Sequence, residues 1–247
     1  MTASPTPAEL LGEVATLRRR ARAQRHAYWF PLVLFGLISA LAAPLYIQPP
    51  RGPNGADATT GSAGLARVLG GDDQATAEPR LIYWLVALSA GFAATVWWYR
   101  RHAQRAGVQT PTRGYVIAGL ASGAVVISLP YWLGLAGTTY TGAVAVQPIE
   151  MAIYRGAIAF FVIAVGLCVL ARLERSPGLA VVAALHAGSA VFAAAYDLEN
   201  LVLRLGWSPR GDEWRYAGLP NVLLPALVLL AGGGIAAAVQ LRNRAKA

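Results

Sequence analysis

Six apolar stretches dominate this chain, each close to the roughly 20 helical residues that cross a bilayer. They run over about 28–47, 81–99, 114–136, 152–171, 179–201 and 219–241. In hydrocarbon no water is present to satisfy a bare peptide group, so a segment of this kind folds as a helix. The pattern predicts an all-α polytopic membrane protein, a six-helix transmembrane bundle over 28–241. Composition agrees: of 247 residues 56% are hydrophobic and only 13% charged, against about one quarter charged in soluble domains. The fourth stretch carries Arg155 in its first turn. The fifth runs on to Leu205, about 40 Å of helix at 1.5 Å per residue, so it must tilt or protrude.

Charge predicts the orientation. Residues 1–27 carry five Arg and two Glu, 99–113 four Arg and no acid, 171–177 two Arg and one Glu, and 240–247 two Arg and Lys246. These connections total +11, the alternate ones (48–80, 137–155, 196–218) total −2, and together they recover the formal +9. Six spans with both termini cytoplasmic, in a bacterial cytoplasmic membrane, is the expected arrangement. A pI near 10 would suggest nucleic acid if the charge lay on one surface. Here it is parcelled out between apolar segments, so the bilayer is the expected partner and nucleic acid is not. Ala40-Leu41-Ala42 resembles a signal cleavage site, but the polar lead and the apolar run before it are both long for a signal, so the first stretch reads as a retained span.

The flanks and loops are distinct. Thr6-Pro7-Ala8-Glu9 is a capping box with Pro at the first helical position. Leu10, Val14, Leu17 and Ala21 then recur at helical spacing, which predicts an amphipathic helix within 1–27. Its Arg18, Arg19, Arg20, Arg22 and Arg25 serve as a basic flank or as a dock for anionic lipid or a cytoplasmic partner. Residues 242–247 read as a basic cytoplasmic tail. The 48–80 connection, rich in Gly, Ala, Pro, Thr and Asp, reads as a partly disordered extracytoplasmic loop.

Soluble catalytic signatures are missing. There is no phosphate-binding GxxxxGK[ST], no HExxH and no Gly-x-Ser-x-Gly. His26, His102 and His186 fall in separate elements, so no metal site or cofactor is expected. Gly119-Leu-Ala-Ser-Gly123 and Gly232-Gly233-Gly234 read as helix-packing surfaces. Tyr46, Tyr83, Trp84, Tyr131, Trp132 and Tyr140 read mostly as an aromatic belt.

The polar candidates cluster around the fifth span. At 100° per residue Asp197 lies about 20° from His186, Arg204 about 20° to the other side of Asp197, and Asn200 about 60° away. These four share a predicted face and Glu199 leaves it. Glu150 and Arg155, at the start of the fourth span, lie on the same outer side and are candidates to pair with Arg204 and Asp197. Near an interface such charges are inexpensive. Deep ones such as His186 mark either a tie to a neighbouring helix or a site.

Two stretches resemble a family of uncharacterised multi-pass integral membrane proteins of actinobacteria. They are RRRARAQRHAYWFPLVLFGLISALAAPLY (18–46) and LARLERSPGLAVVAALHAGSAVFAAAYDLENLVLRLGW (170–207), the latter followed by LPNVLLPALVLLAGG (219–233). The likeness covers about two thirds of the chain and omits the 48–80 loop. Its most recognisable piece is Tyr196-Asp197-Leu198-Glu199-Asn200. The family has no established activity, so the resemblance implies membrane location and nothing about chemistry.

Three functional readings follow. The first is the membrane subunit of a transport or efflux system with an outward-facing polar pocket, partnered by an ATP-binding subunit or by further copies of the chain. The second is an integral-membrane enzyme acting on a lipid or isoprenoid near the outer leaflet through Asp197, Glu150 and His186. The third is a sensor or anchor docked through the basic N-terminal helix. The missing catalytic motifs weigh against the enzyme.

Overall fold

The computed structural model describes residue 12 and residues 28–48, 64–71, 74–106, 113–135, 147–195, 198–206 and 211–245. Every regular element among them is helical. They are α1 (Trp29–Leu41), a 3-10 turn (Ala43–Tyr46), α2 (Gly64–Gly70), α3 (Gln74–Ala106) and α4 (Arg113–Leu135). These are followed by α5 (Gln147–Tyr154), α6 (Ile158–Glu174), α7 (Pro177–Ala195), α8 (Leu198–Arg204), a second 3-10 turn (Gly211–Tyr216) and α9 (Leu219–Ala245). The predicted N-terminal amphipathic helix lies outside the described residues, apart from Gly12.

Four helices are long and apolar enough to cross a membrane, over Thr76–His102, Arg113–Trp132, Pro177–Ala195 and Leu219–Asn243. The first and fourth predicted spans take other forms. α1 stops after 13 residues. Pro44 has no N–H to continue the helix and its ring would clash with the carbonyl four residues back. The chain tightens into 3-10 geometry instead, and Ala43–Tyr46 completes the rise to roughly 28 Å, near the hydrocarbon thickness. The fourth stretch is split: α5 ends at Tyr154, Gly156 takes φ +64°, and α6 begins at Ile158. In the fifth stretch the described residues form α7, ending at Ala195, and α8, beginning at Leu198; Tyr196 and Asp197 lie outside the described residues. α3 and α9 run past their predicted ends at both limits or at one, and α9 absorbs Arg242 of the predicted tail.

The turn between α6 and α7 shows how local sequence places an element. Arg175 adopts the left-handed conformation, φ 52°, and the Ser176 amide donates to Ala171 O at 3.2 Å, which closes α6 in a Schellman turn. The same Ser176 then starts α7: its hydroxyl accepts from the Leu179 amide at 3.4 Å, and Pro177 takes the first helical position.

Small residues set the helix contacts. α1 and α9 pack antiparallel. A Cβ on Gly36 would sit 2.8 Å from Leu230 Cγ, and one on Gly233 2.7 Å from Val33 Cγ2. Gly232 seats Val182 of α7 in the same way, while Gly234 faces open space. In Gly119-x-x-x-Gly123 only Gly119 meets a neighbour, the Phe92 ring, and Gly123 meets none. The α1, α6, α7 and α9 packing forms the centre, with Leu32, Phe35, Phe160, Ile163, Leu179, Val222 and Leu229 almost wholly buried. α4 is peripheral: 11% of its apolar window is buried against 39% for α7.

The 48–80 connection departs most from expectation. Its residues 64–70 and 74–80 are helical, and Val68 and Leu69 of α2 join the core. The reason is backbone contact. A Cβ on Gly70 would lie 2.1 Å from Ala77 O, and one on Gly156 3.0 Å from Gly70 C and O. Three chain segments therefore cross at positions where no side chain fits. Gly70→Ala is expected to cost at least about 2 kcal/mol by overpacking this crossing, read as a lowered unfolding temperature of the full chain in detergent. Gly123→Ala, in open space, should leave that temperature unchanged.

Candidate functional site

His186 is fully buried at the middle of α7. Its Nδ1 lies 3.3 Å from Pro225 O of α9 and its Nε2 3.2 Å from Phe160 O of α6. The imidazole thus lies between three helices. A neutral ring has one N–H, so it donates to one of these carbonyls and packs against the other; an imidazolium donates to both. Both nitrogens are occupied by backbone, so neither is presented to a substrate. Ser189, one turn on, donates to the His186 carbonyl at 2.7 Å, which turns its hydroxyl back onto its own helix.

The end of the bundle opposite the arginine-rich connections carries a second polar system. Arg80, in the first turns of α3, is 6% exposed. Its Nε donates to Leu45 O at 2.8 Å and its Nη1 to Gly70 O at 2.9 Å. The guanidinium sits 4.4 Å over the Tyr46 ring, a cation–π contact strengthened by burial. The Tyr46 hydroxyl donates to Gly156 O at 2.8 Å and accepts from Trp84 Nε1 at 3.1 Å. Tyr83, beside it, donates to Ile38 O at 2.5 Å. Trp84 in turn meets Phe160 edge to face, 5.3 Å between centroids. Tyr46 and Trp84 are therefore interior, not belt residues, whereas Tyr131 and Trp132 on α4 are exposed.

Arg155 lies in the α5–α6 break and donates from Nη1 to Ala193 O at 3.0 Å. That carbonyl is in the last turn of α7, where helix carbonyls lack intrahelical donors and a cation is favoured. Across the gap, the Leu198 amide at the start of α8 donates to Asn221 Oδ1 at 3.1 Å. The α5–α6 break therefore places an arginine against the backbone of α7.

The sequence candidates distribute as follows. His186 lies in a helix seam and Arg155 on the α7 terminus. Glu150 is half-buried on α5, and Arg204 is exposed on α8. Asp197 and the side chains of Glu199 and Asn200 lie outside the described residues, as do Arg18, Arg19, Arg20, Arg22 and Arg25. Among the described residues no group of three or more His, Cys, Asp or Glu has the arrangement of a metal site. Sequence reasoning passed over Arg80, counting it as a loop charge. The available signal was its spacing: Tyr83 and Trp84 follow at i+3 and i+4, one face of a helix.

No protein-family model, curated protein or solved structure matches the chain. Replacing His186 tests its role as a tie. His186→Leu keeps most of the volume and should cost about 1 kcal/mol, the scale of an interhelical hydrogen bond in a membrane bundle. His186→Ala should cost more, because it also leaves a cavity. Unfolding of the two variants in detergent, side by side, gives the order.

Proposed function

We propose that this chain is the membrane subunit of a transport or efflux system, crossing the cytoplasmic membrane six times with both termini inside and working with a separate ATP-binding partner. The observation that supports it most is the break in the fourth stretch at Gly156, beside which Arg155 donates to Ala193 O of α7. Irregular backbone at membrane depth is stable only where protein or a water-lined cavity covers it, and in transport proteins interrupted helices mark the substrate path. The alternation of basic and near-neutral connections supports the orientation. The lack of a nucleotide-binding loop in the sequence supports a borrowed ATPase. The resemblance to actinobacterial membrane proteins agrees with the location. An enzymatic reading draws nothing from His186, whose ring nitrogens both face backbone carbonyls.

Two measurements test this reading. Cys168 is the sole cysteine of the sequence, so a Cys168→Ser background allows single-cysteine mapping. Gly55→Cys and Tyr140→Cys should react with an impermeant maleimide on intact cells, and Gln104→Cys only after permeabilisation; the reverse pattern overturns the orientation. The tagged full chain should capture an ATP-binding protein from its native membrane, and its deletion should lower efflux of a fluorescent dye. Capture of no ATPase together with unchanged efflux overturns the transport assignment.

A further inference from the structure

A third polar cluster lies at the arginine-rich end, away from the site above. Glu174 closes α6, beyond the apolar run that ends at Ala171. The Tyr99 hydroxyl of α3 donates to its Oε1 in a short hydrogen bond. Its Oε2 is buried and has no hydrogen-bond partner. Tyr115 of α4 is 3% exposed and stands near Tyr99, with its hydroxyl toward Thr95 of α3 and Gly166 of α6. Leu173 of α6 packs beside Gly114 in the first turn of α4. The Glu174 carboxyl receives a single donor, Tyr99.

The other ionisable groups on the packed elements do not neutralise it. Arg172 and Arg175 beside it on the chain are exposed, as are Arg113 at the start of α4 and Arg100 and Arg101 after Tyr99 on α3, while His102 lies against the Trp98 ring. α7 brings only His186, which lies mid-helix, and Arg67 of α2 is at the opposite end. Among the described residues Glu174 has no ion pair. A carboxylate has about four lone-pair sites to satisfy, whereas a protonated carboxyl has fewer and carries no charge. One donor and one bare, buried oxygen favour the acid form.

We propose that Glu174, held by Tyr99, is a proton-binding site at the arginine-rich end of the bundle, with the proton carried on Oε2. Burial raises the Glu174 carboxyl to about 7, against a smaller opposing effect of the Tyr99 hydrogen bond. The site therefore exchanges its proton with solvent near neutral pH. It stands independently of the transport reading, which would give the proton a use. Because the folded form binds its proton more tightly than the unfolded form, the contribution to stability is complete below about pH 4.5 and is lost as pH rises through about 7.

The test is infrared difference spectroscopy of the full chain in lipid vesicles, titrated with pH. The wild type should show a protonated-carboxyl band that disappears with a midpoint near pH 7, and Glu174→Gln should lose that band. Tyr99→Phe removes a donor that favours the ionised form, so it should move the midpoint upward. Over the same range, the fall in unfolding temperature with rising pH should flatten in Glu174→Gln. A wild-type band with a midpoint near 4.5, or a band that survives Glu174→Gln, overturns the proposal. Should Glu174→Gln fail to fold, the Tyr99→Phe midpoint decides: an upward shift supports the site, and an unchanged midpoint overturns it.

Discussion

Carbonyl groups left open where helices end or break are what the interior of this protein is arranged around. A helix leaves its last four carbonyls without intrahelical donors, and in hydrocarbon no water is present to take their place. Here side chains take it. Arg80 reaches Gly70 O at the end of α2 and Arg155 reaches Ala193 O of α7, while Tyr83 adds a second donor to Ile38 O, which already accepts from the Ala42 amide. Tyr46 reaches Gly156 O in the α5–α6 break. Two of these donors are arginines, and each places positive charge where the helix dipole is negative. This accounts for arginines at the end of the bundle where the charge pattern otherwise has few.

That arrangement also explains why short helices persist. α2 has seven residues, too few to hold together alone. Its final carbonyl is taken by Arg80, its last residue lies against Ala77 and Gly156, and its apolar side chains enter the core. The α5–α6 break is held from two directions, by Tyr46 on Gly156 and by Arg155 on α7. The central helices are drawn together by His186, whose ring spans α6 and α9. Polar side chains thus act as ties between elements, while small residues on α1 and α9 let the backbones approach.

Much of the helical architecture was legible in the sequence, and the departures have physical causes. The third span was placed almost to the residue, because nothing in its polarity interrupts it. The fourth read as continuous because hydropathy responds to apolar content and not to a backbone that turns at Gly156. The 48–80 connection read as loop because its composition is small and polar. Yet those glycines are the feature that lets it pack, and a close crossing of backbones has no hydrophobic signature. For the candidate site, His186 was recognisable as a deep polar residue, but its two carbonyl partners lie far away in the chain. Arg80 and Glu174 escaped notice because each stands at the edge of an apolar run, where a charge costs little and carries little information.

By itself the sequence determined that the chain is helical and apolar, where its third and sixth apolar helices lie to within a few residues, and which connections are basic. Those properties follow from local composition and spacing, because a peptide in hydrocarbon has few ways to satisfy its backbone. Tertiary structure decided which polar groups are spent on which carbonyls, where the fourth stretch is interrupted, and that one carboxyl at the arginine-rich end keeps an oxygen without a partner. These depend on residues distant in sequence meeting at distances near 3 Å, and no local pattern encodes such a meeting.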